Sequence, residues 1–188
     1  MGFGFVNVVG QPAVAVGPNL TASLARTTIM PTAAKQTVPT QFFDRPGKQI
    51  RFLVNGSISN IVTTPGTLTL DITFAAVQVW NSGAIQLSAV AHTTLPFWLE
   101  VTMTCAAIGS GTTATVKSAG LMCSQTIIPA IGVVDAGSHN TLIVPNVTPV
   151  VSTGFDSTIL NAIDIFGTFS LNNANAIQIH QFAIQEMN

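Results

Sequence analysis

The sequence predicts an all-β protein: an antiparallel β-sandwich of jelly-roll type, entered through an extended N-terminal arm. Three observations carry this. Apolar residues recur at every second position over several stretches, the pattern that buries one face of a strand and wets the other. Clusters of Gly, Pro, Asn and Asp interrupt that alternation as turns do. No stretch carries a capped apolar stripe at helical spacing, and Leu20–Ile29 and Ile159–Phe166 are the nearest approaches.

Residues 1–41 come first and differ from the rest. They hold prolines at 12, 18, 31 and 39 and no sustained alternation. They read as an extended arm that orders against something else, with residues 42–188 as the sandwich domain. The opening MGFGFVNVVGQPAVAVG is apolar, but no Lys or Arg precedes Arg26. It therefore lacks the positive region of a secretory signal and reads as mature chain. Val6 stands where a myristoylation signal requires Ser or Thr.

The first long strand follows the stretch FFDRPGKQIRFLVNG. Pro46 fixes its own φ and disfavours helix at Arg45, so the chain turns here out of the arm. Ile50, Phe52, Val54, Ile58 and Val62 are even-numbered and apolar, while Gln49, Arg51, Asn55, Ser57 and Ser59 are odd. In Thr67–Phe74 the even positions Leu68, Leu70, Ile72 and Phe74 alternate with Thr67, Thr69, Asp71 and Thr73. Pro65-Gly66 between them is a strong turn pair. A hairpin centred there sets Val62 against Leu68 and Ile58 against Ile72, with both apolar sets on one face.

Further strands are expected over 84–90, 96–108, 112–127, 141–144, 159–171 and 176–187. Turns fall at Asn81–Gly83, Gly109–Gly111, 135–140 and 172–175. Strands beyond ten residues reach ~35 Å, which suits a two-sheet sandwich better than a small barrel. The Gly109–Gly111 turn places Thr104 opposite Lys117. It sets Cys105 and Cys123 several residues out of register, too far apart for a disulfide. Two free, buried thiols are expected, in keeping with a cytosolic origin.

Composition narrows the function. Only thirteen of 188 residues are Asp, Glu, Lys or Arg, 7%, against 24 threonines, where a soluble protein averages about 25% charged. The mean hydropathy of +0.52 does not come from a membrane helix, because no window supplies ~18 consecutive apolar residues. A membrane-spanning barrel carries aromatic girdles, and this chain has no Tyr and two Trp. Thr, which faces water or another protein without burying a charge, suits a surface covered by neighbours. A net charge of −1 favours association.

The charges are segregated. Arg26, Lys35, Arg45, Lys48 and Arg51 lie in the first 51 positions with Asp44 as the sole acid, a net +4. Beyond lie Lys117 and six acids, a net −5. Either the segregation is chance, or a basic arm docks on an acidic surface. Arg26, Lys35, Arg45, Lys48 and Arg51, with Glu100, which lacks a partner in its own hairpin, are the candidate interface residues. The bases are too dispersed for a nucleic-acid site.

No catalytic constellation is present. His92, His139 and His180 are far apart, with no ligand partner at metal-binding spacing, and no cofactor is expected. Gly109-Ser110-Gly111 is a hairpin turn, not a nucleophile elbow. The triplets at Asn19, Asn55 and Asn146 are what a Thr-rich chain produces by chance. For sugar binding, which needs exposed aromatics near Asp or Asn, Trp80-Asn81 and Trp98 are the tryptophan candidates.

The runs PGKQIRFLVNGSISNIVTTPGTLTLDITF, HTTLPFWLEVTMTCAAIGSGTTATV and GFDST…DIFGTFS…NAIQIHQF resemble small β-rich virion structural proteins of tailed bacteriophages, over roughly residues 45–188. The resemblance rests on texture and turn placement, with no catalytic signature. It implies a capsid decoration or cement protein, made in the host cytoplasm and carried on the capsid surface. Such a protein self-associates, often as a trimer, and clamps the major capsid protein of the shell. The alternative is a receptor- or carbohydrate-binding module of a head spike or tail fibre.

Overall fold

The computed structural model describes residues 7–14, 16–32, 35–61, 63–127, 140–148 and 150–187. Its strands are β1 (Asn7–Val14), β2 (Leu20–Thr21), β3 (Thr27–Thr28), β4 (Thr37–Val38), β5 (Gln49–Asn60), β6 (Thr67–Phe74) and β7 (Val77–Asn81), followed by β8 (Ile85–Gln86), β9 (His92–Ala107), β10 (Thr115–Ser124), β11 (Asn140–Val144), β12 (Asn161–Phe169) and β13 (Ala176–Met187). One sheet runs β1-β13-β5-β9-β10-β11, with β2 added on β13. The other runs β3-β12-β6-β7, with β4 on β12 and β8 on β6. This is the antiparallel sandwich that the alternation predicts, and no α-helix occurs among the described residues. Its path is jelly-roll-like, because β5/β6, β8/β9, β11/β12 and β12/β13 each cross between sheets.

The core follows the parity of the sequence. Ile50, Phe52, Val54 and Ile58 of β5 and Leu99, Val101 and Met103 of β9 are buried against Leu68, Leu70, Ile72 and Phe74 of β6. Each such side chain contributes about 1.5–3 kcal/mol relative to exposure. Phe42 and Phe43, at the entrance to β5, join Phe74 and Phe155 in an aromatic cluster. Phe74 and Phe155 meet edge to face with centroids 5.2 Å apart, a favoured arrangement of ring quadrupoles.

The β9–β10 hairpin has the expected register: Thr104 faces Lys117, Glu100 faces Leu121, and Cys123 faces Trp98. Both cysteines are free. Cys105 is buried as expected, but Cys123 is partly exposed, because its odd position puts it on the outer side of β10.

The expected β5–β6 hairpin is corrected. Ile72 pairs with Ile165 and Trp80, whereas Ile58 pairs with Ile177 and Leu95 in the opposite sheet; Val62 lies outside the described residues. The Pro65-Gly66 corner carries the chain across the sandwich, with left-handed φ at Thr63 (77°) and Gly66 (72°). Asn173 and Asn175 donate to the Pro65 carbonyl. Parity does not separate a hairpin from a crossing, since both send the even positions into the same core. Strand β7, which the alternation did not reveal, returns beside β6 after a turn with Ala75 at φ 53°.

The described residues between 7 and 41 are extended, but they order against their own chain. β1 and β2 pair with β13, and β3 and β4 pair with β12, so the segment passes from one sheet to the other. Leu20, Ile29, Met30 and Val38 are buried in the common core. The short strands hide the pattern: two residues cannot display an alternation.

Candidate functional site

All six candidate interface residues form ion pairs within the chain. Arg26 lies over the Phe166 ring, 3.6 Å from its centroid, and holds the buried Asp71. Lys35 reaches Asp164, which also accepts from the Thr28 hydroxyl. Arg45 pairs with its neighbour Asp44 at 3.1 Å. Lys48 meets Glu186 at 2.8 Å and stacks its ammonium over Phe42. Arg51 meets Glu100 at 2.7 Å on the outer face of the larger sheet. The basic N-terminal part thus lies on the acidic body of the same molecule. The segregation of charge has an intramolecular use, and these pairs leave little free charge to steer a partner.

What remains exposed is the outer face of the larger sheet. Register places its outward side chains in rows across the strands. One row is Gln181–Asn55–Trp98–Cys123–Thr141, running over β13, β5, β9, β10 and β11. The next is Ala183–Leu53–Glu100–Leu121–Ile143. Trp98 is 43% exposed, because the alternation of β9 buries Phe97 and Leu99 and turns position 98 outward.

Beside Trp98 an open groove of about 580 Å³ is lined by Val16, Asn55, Gly56, Pro96, Phe97, Trp98, Cys123, His180 and Gln181. Its shape has a local cause. The pairing of β13 with β5 shifts by one residue between Ile179 and Gln181, so His180 is the extra residue of a β-bulge. The bulge keeps Ile177 and Ile179 buried on one side of it and Phe182 and Ile184 buried on the other. Gly56 sits opposite Ile179 and Phe97. A Cβ there would lie 2.0 Å from the Gln178 carbonyl and 2.9 Å from the Phe97 ring, so only glycine permits the close approach. His180 Nε2 lies 3.2 Å from the Ser57 hydroxyl, which orients the imidazole.

The groove offers an aromatic plate and planar polar groups, with no charged side chain among its lining residues. Its thiol and imidazole do not form a nucleophile–base pair. Cys123 on β10 and His180 on β13 are separated by β5 and β9, or roughly 14 Å at ~4.8 Å per strand, too far for a base to take the thiol proton. Cys123 Sγ instead accepts a long hydrogen bond from the Thr141 hydroxyl at 3.7 Å.

Trp80, the other tryptophan candidate, is 4% exposed and belongs to the core. His92 pairs in register with Asn60 at the start of β9, and His139 lies outside the described residues. No group of three or more His, Cys, Asp or Glu suited to a metal ion occurs among the described residues. Asp156 accepts from the Thr158 hydroxyl and from the N–H groups of Gly111 and Thr158, and these hydrogen bonds hold its carboxyl below the usual range.

Sequence reasoning missed Asn55, His180 and Gln181 as partners of Trp98. One signal was available. The apolar positions switch from odd (Ile177, Ile179) to even (Phe182, Ile184), which marks a bulge at 180–181.

No protein-family model and no curated protein matches the chain. Among solved structures it is similar to the CBM2 module of the evolved Dit of Lactobacillus casei BL23 phage J-1, at 11% identity and a TM-score of 0.31, covering 82% of this chain and 68% of that one. It is also similar to the Lotus tetragonolobus seed lectin, at 7% identity and a TM-score of 0.34 over 98% and 94% of the two chains. The lectin UEA-II complexed with galactose gives 8% identity and a TM-score of 0.33 over 98% and 97%. TM-scores of this size carry no residue across from one chain to another.

Proposed function

We propose that the chain is a non-catalytic binding module of a virion, of the head-spike or tail-fibre type, which takes a carbohydrate receptor in the groove beside Trp98. One observation supports this reading above the others: an exposed indole stands in a groove without a charged lining residue, shared with Asn55, His180 and Gln181. An aromatic face supports the apolar C–H face of a sugar ring, while amides and imidazole meet its hydroxyls. β-strands hold all of these residues, so the site is formed before the ligand arrives. The test is a glycan-binding screen of the intact protein beside its Trp98→Ala variant. Binding lost in the variant, with circular dichroism unchanged, is the expected result; equal binding by both proteins removes the groove from the account.

A second reading has its own observation. Leu121, Ile143, Val147, Val150 and Val151 are large exposed hydrophobics between 46% and 71% exposed. Leu121 and Ile143 are cross-strand neighbours, Ile143 and Val147 line one depression, and Val147, Val150 and Val151 line another. An apolar strip of this kind is costly in water and useful in an assembly. It supports a decoration or cement role in which the protein associates with itself, as a trimer in the expectation from sequence, and with a shell of major capsid protein. Light scattering at micromolar concentration tests it, and a stable monomer counts against the assembly.

A further inference from the structure

We infer that the groove takes an internal stretch of an uncharged, linear glycan, several sugar rings long, rather than a single terminal sugar; the inference rests on the carbohydrate reading above. It comes from three features of the lining. The first is span. Apart from Val16, the lining residues come from β13 (His180, Gln181), β5 (Asn55, Gly56), β9 (Pro96, Phe97, Trp98) and β10 (Cys123). Four neighbouring strands set the two ends of the groove roughly 14 Å apart. A single ring stacked on Trp98 leaves the Asn55–Gln181 end unoccupied.

The second feature is division of labour along that span. The stacking plate lies at the β9–β10 end, and the hydrogen-bonding groups lie across β5 and β13. Asn55 is the direct cross-strand neighbour of both Trp98 and Gln181. A chain lying across the strands would stack one ring on Trp98 and present the next to Asn55. It would present the following ring to Gln181 and His180. His180 is held at this end by the Ser57 hydroxyl, 3.2 Å from its Nε2.

The third feature is charge. None of the lining residues is Asp, Glu, Lys or Arg. The nearest row carries Glu100, whose charge is met by Arg51 at 2.7 Å. A uronate or sialylated chain therefore finds no cation to offset the desolvation of its carboxylates, and a neutral chain loses nothing.

The experiment titrates the intact protein with neutral linear oligosaccharides of one to six units in the gluco, manno and galacto series, and with uronate oligomers of matching length. Two readouts are used: indole fluorescence, which reports Trp98 because Trp80 is buried, and protection of Cys123 from alkylation. In the series that binds, affinity should rise at least about tenfold from one unit to three and then level off. Asn55→Ala and Gln181→Ala should remove most of that gain, lowering the affinity for three units by a larger factor than the affinity for one. Uronate oligomers should bind more weakly than neutral ones. A single sugar that binds as tightly as the trimer overturns the inference and leaves the carbohydrate reading intact, as does tighter binding of uronates. If no oligomer of any series moves either readout, the carbohydrate reading fails together with the inference.

Discussion

Arg26 Nε donates to both carboxylate oxygens of Asp71, at 3.1 and 2.9 Å, although the two residues are 45 positions apart. The contact fastens the N-terminal segment across the outer face of the smaller sheet, over Phe166. Its two halves are unequal. The Asp71 side chain is 3% exposed and that of Arg26 is 41% exposed.

That inequality predicts the outcome of a double-mutant cycle. Arg26→Ala leaves a carboxylate buried without its cation and should cost about 1–3 kcal/mol, less than a fully buried pair because the Arg26 side chain is partly in water. Adding Asp71→Asn to that variant should recover part of the loss. Urea denaturation of the four proteins measures both steps. A single variant as stable as the parent means the pair does not hold the segment down.

A larger effect is expected from deleting residues 1–41. The sequence suggests a detachable arm, yet the deletion removes Leu20, Ile29, Met30 and Val38 from the core. It also strips β1 and β2 from β13, and β3 and β4 from β12. Four buried apolar side chains at about 1.5–3 kcal/mol each amount to about 6–12 kcal/mol, comparable with the whole typical stability of ~5–15 kcal/mol. The shortened protein should show no cooperative unfolding transition. A sharp transition with native circular dichroism would restore the arm as a separate element.

How much of this was legible beforehand depends on range. Alternation over eight or more residues reported the burial of β5, β6 and β9 side by side with their outward residues, Trp98 and Glu100 included. The Gly109–Gly111 turn fixed a register because its strands are adjacent in sequence. Partners across the sandwich were not legible, since an even position in β5 and one in β6 enter the same core whether the strands pair or cross. The groove was hidden for the same reason. Trp98, Asn55 and Gln181 come from three strands, and only the order of the sheet makes them neighbours.

Asp156 predicts an acid-sensitive turn. It accepts from the Gly111 N–H at 2.8 Å, and the neighbouring Ser157 hydroxyl accepts from the Gly109 N–H at 3.0 Å. The carboxyl of Asp156 is held below its usual range, first by the Thr158 hydroxyl and then by the N–H groups of Gly111 and Thr158. A carboxyl lowered in the folded state adds stability above its unfolded value of about 3.9, and that contribution disappears as pH falls through the folded value. Asp156→Asn should therefore lower Tm at pH 7, with the gap closing as the pH falls below the ordinary carboxylate range. A gap that persists in acid would mean that the side chain acts by shape and not by charge.

The two cysteines should differ in the native protein although neither is bonded. Cys105 points into the core, 2% exposed, with its Sγ 3.4 Å from the Ala107 carbonyl. Burial, and then the nearby charge of Asp44, push its thiol up from the ordinary value. The thiolate is the reactive form, so Cys105 is protected twice, by access and by protonation. Cys123 is partly exposed on the outer face, opposite Trp98 and on the groove wall. Titration with a thiol reagent at pH 8 should find one fast group per chain in the folded protein and two after unfolding in denaturant. Cys123→Ser should remove the fast group, and Cys105→Ser should leave it. Because Cys123 shares the groove with Trp98, Trp98→Ala should speed its alkylation by uncovering the sulfur. Two fast groups in the native protein would show that the β9–β10 hairpin opens in solution. None would place Cys123 beneath a surface that the described residues do not provide, and the face bearing Trp98 would then be covered by another part of the chain or by a second copy.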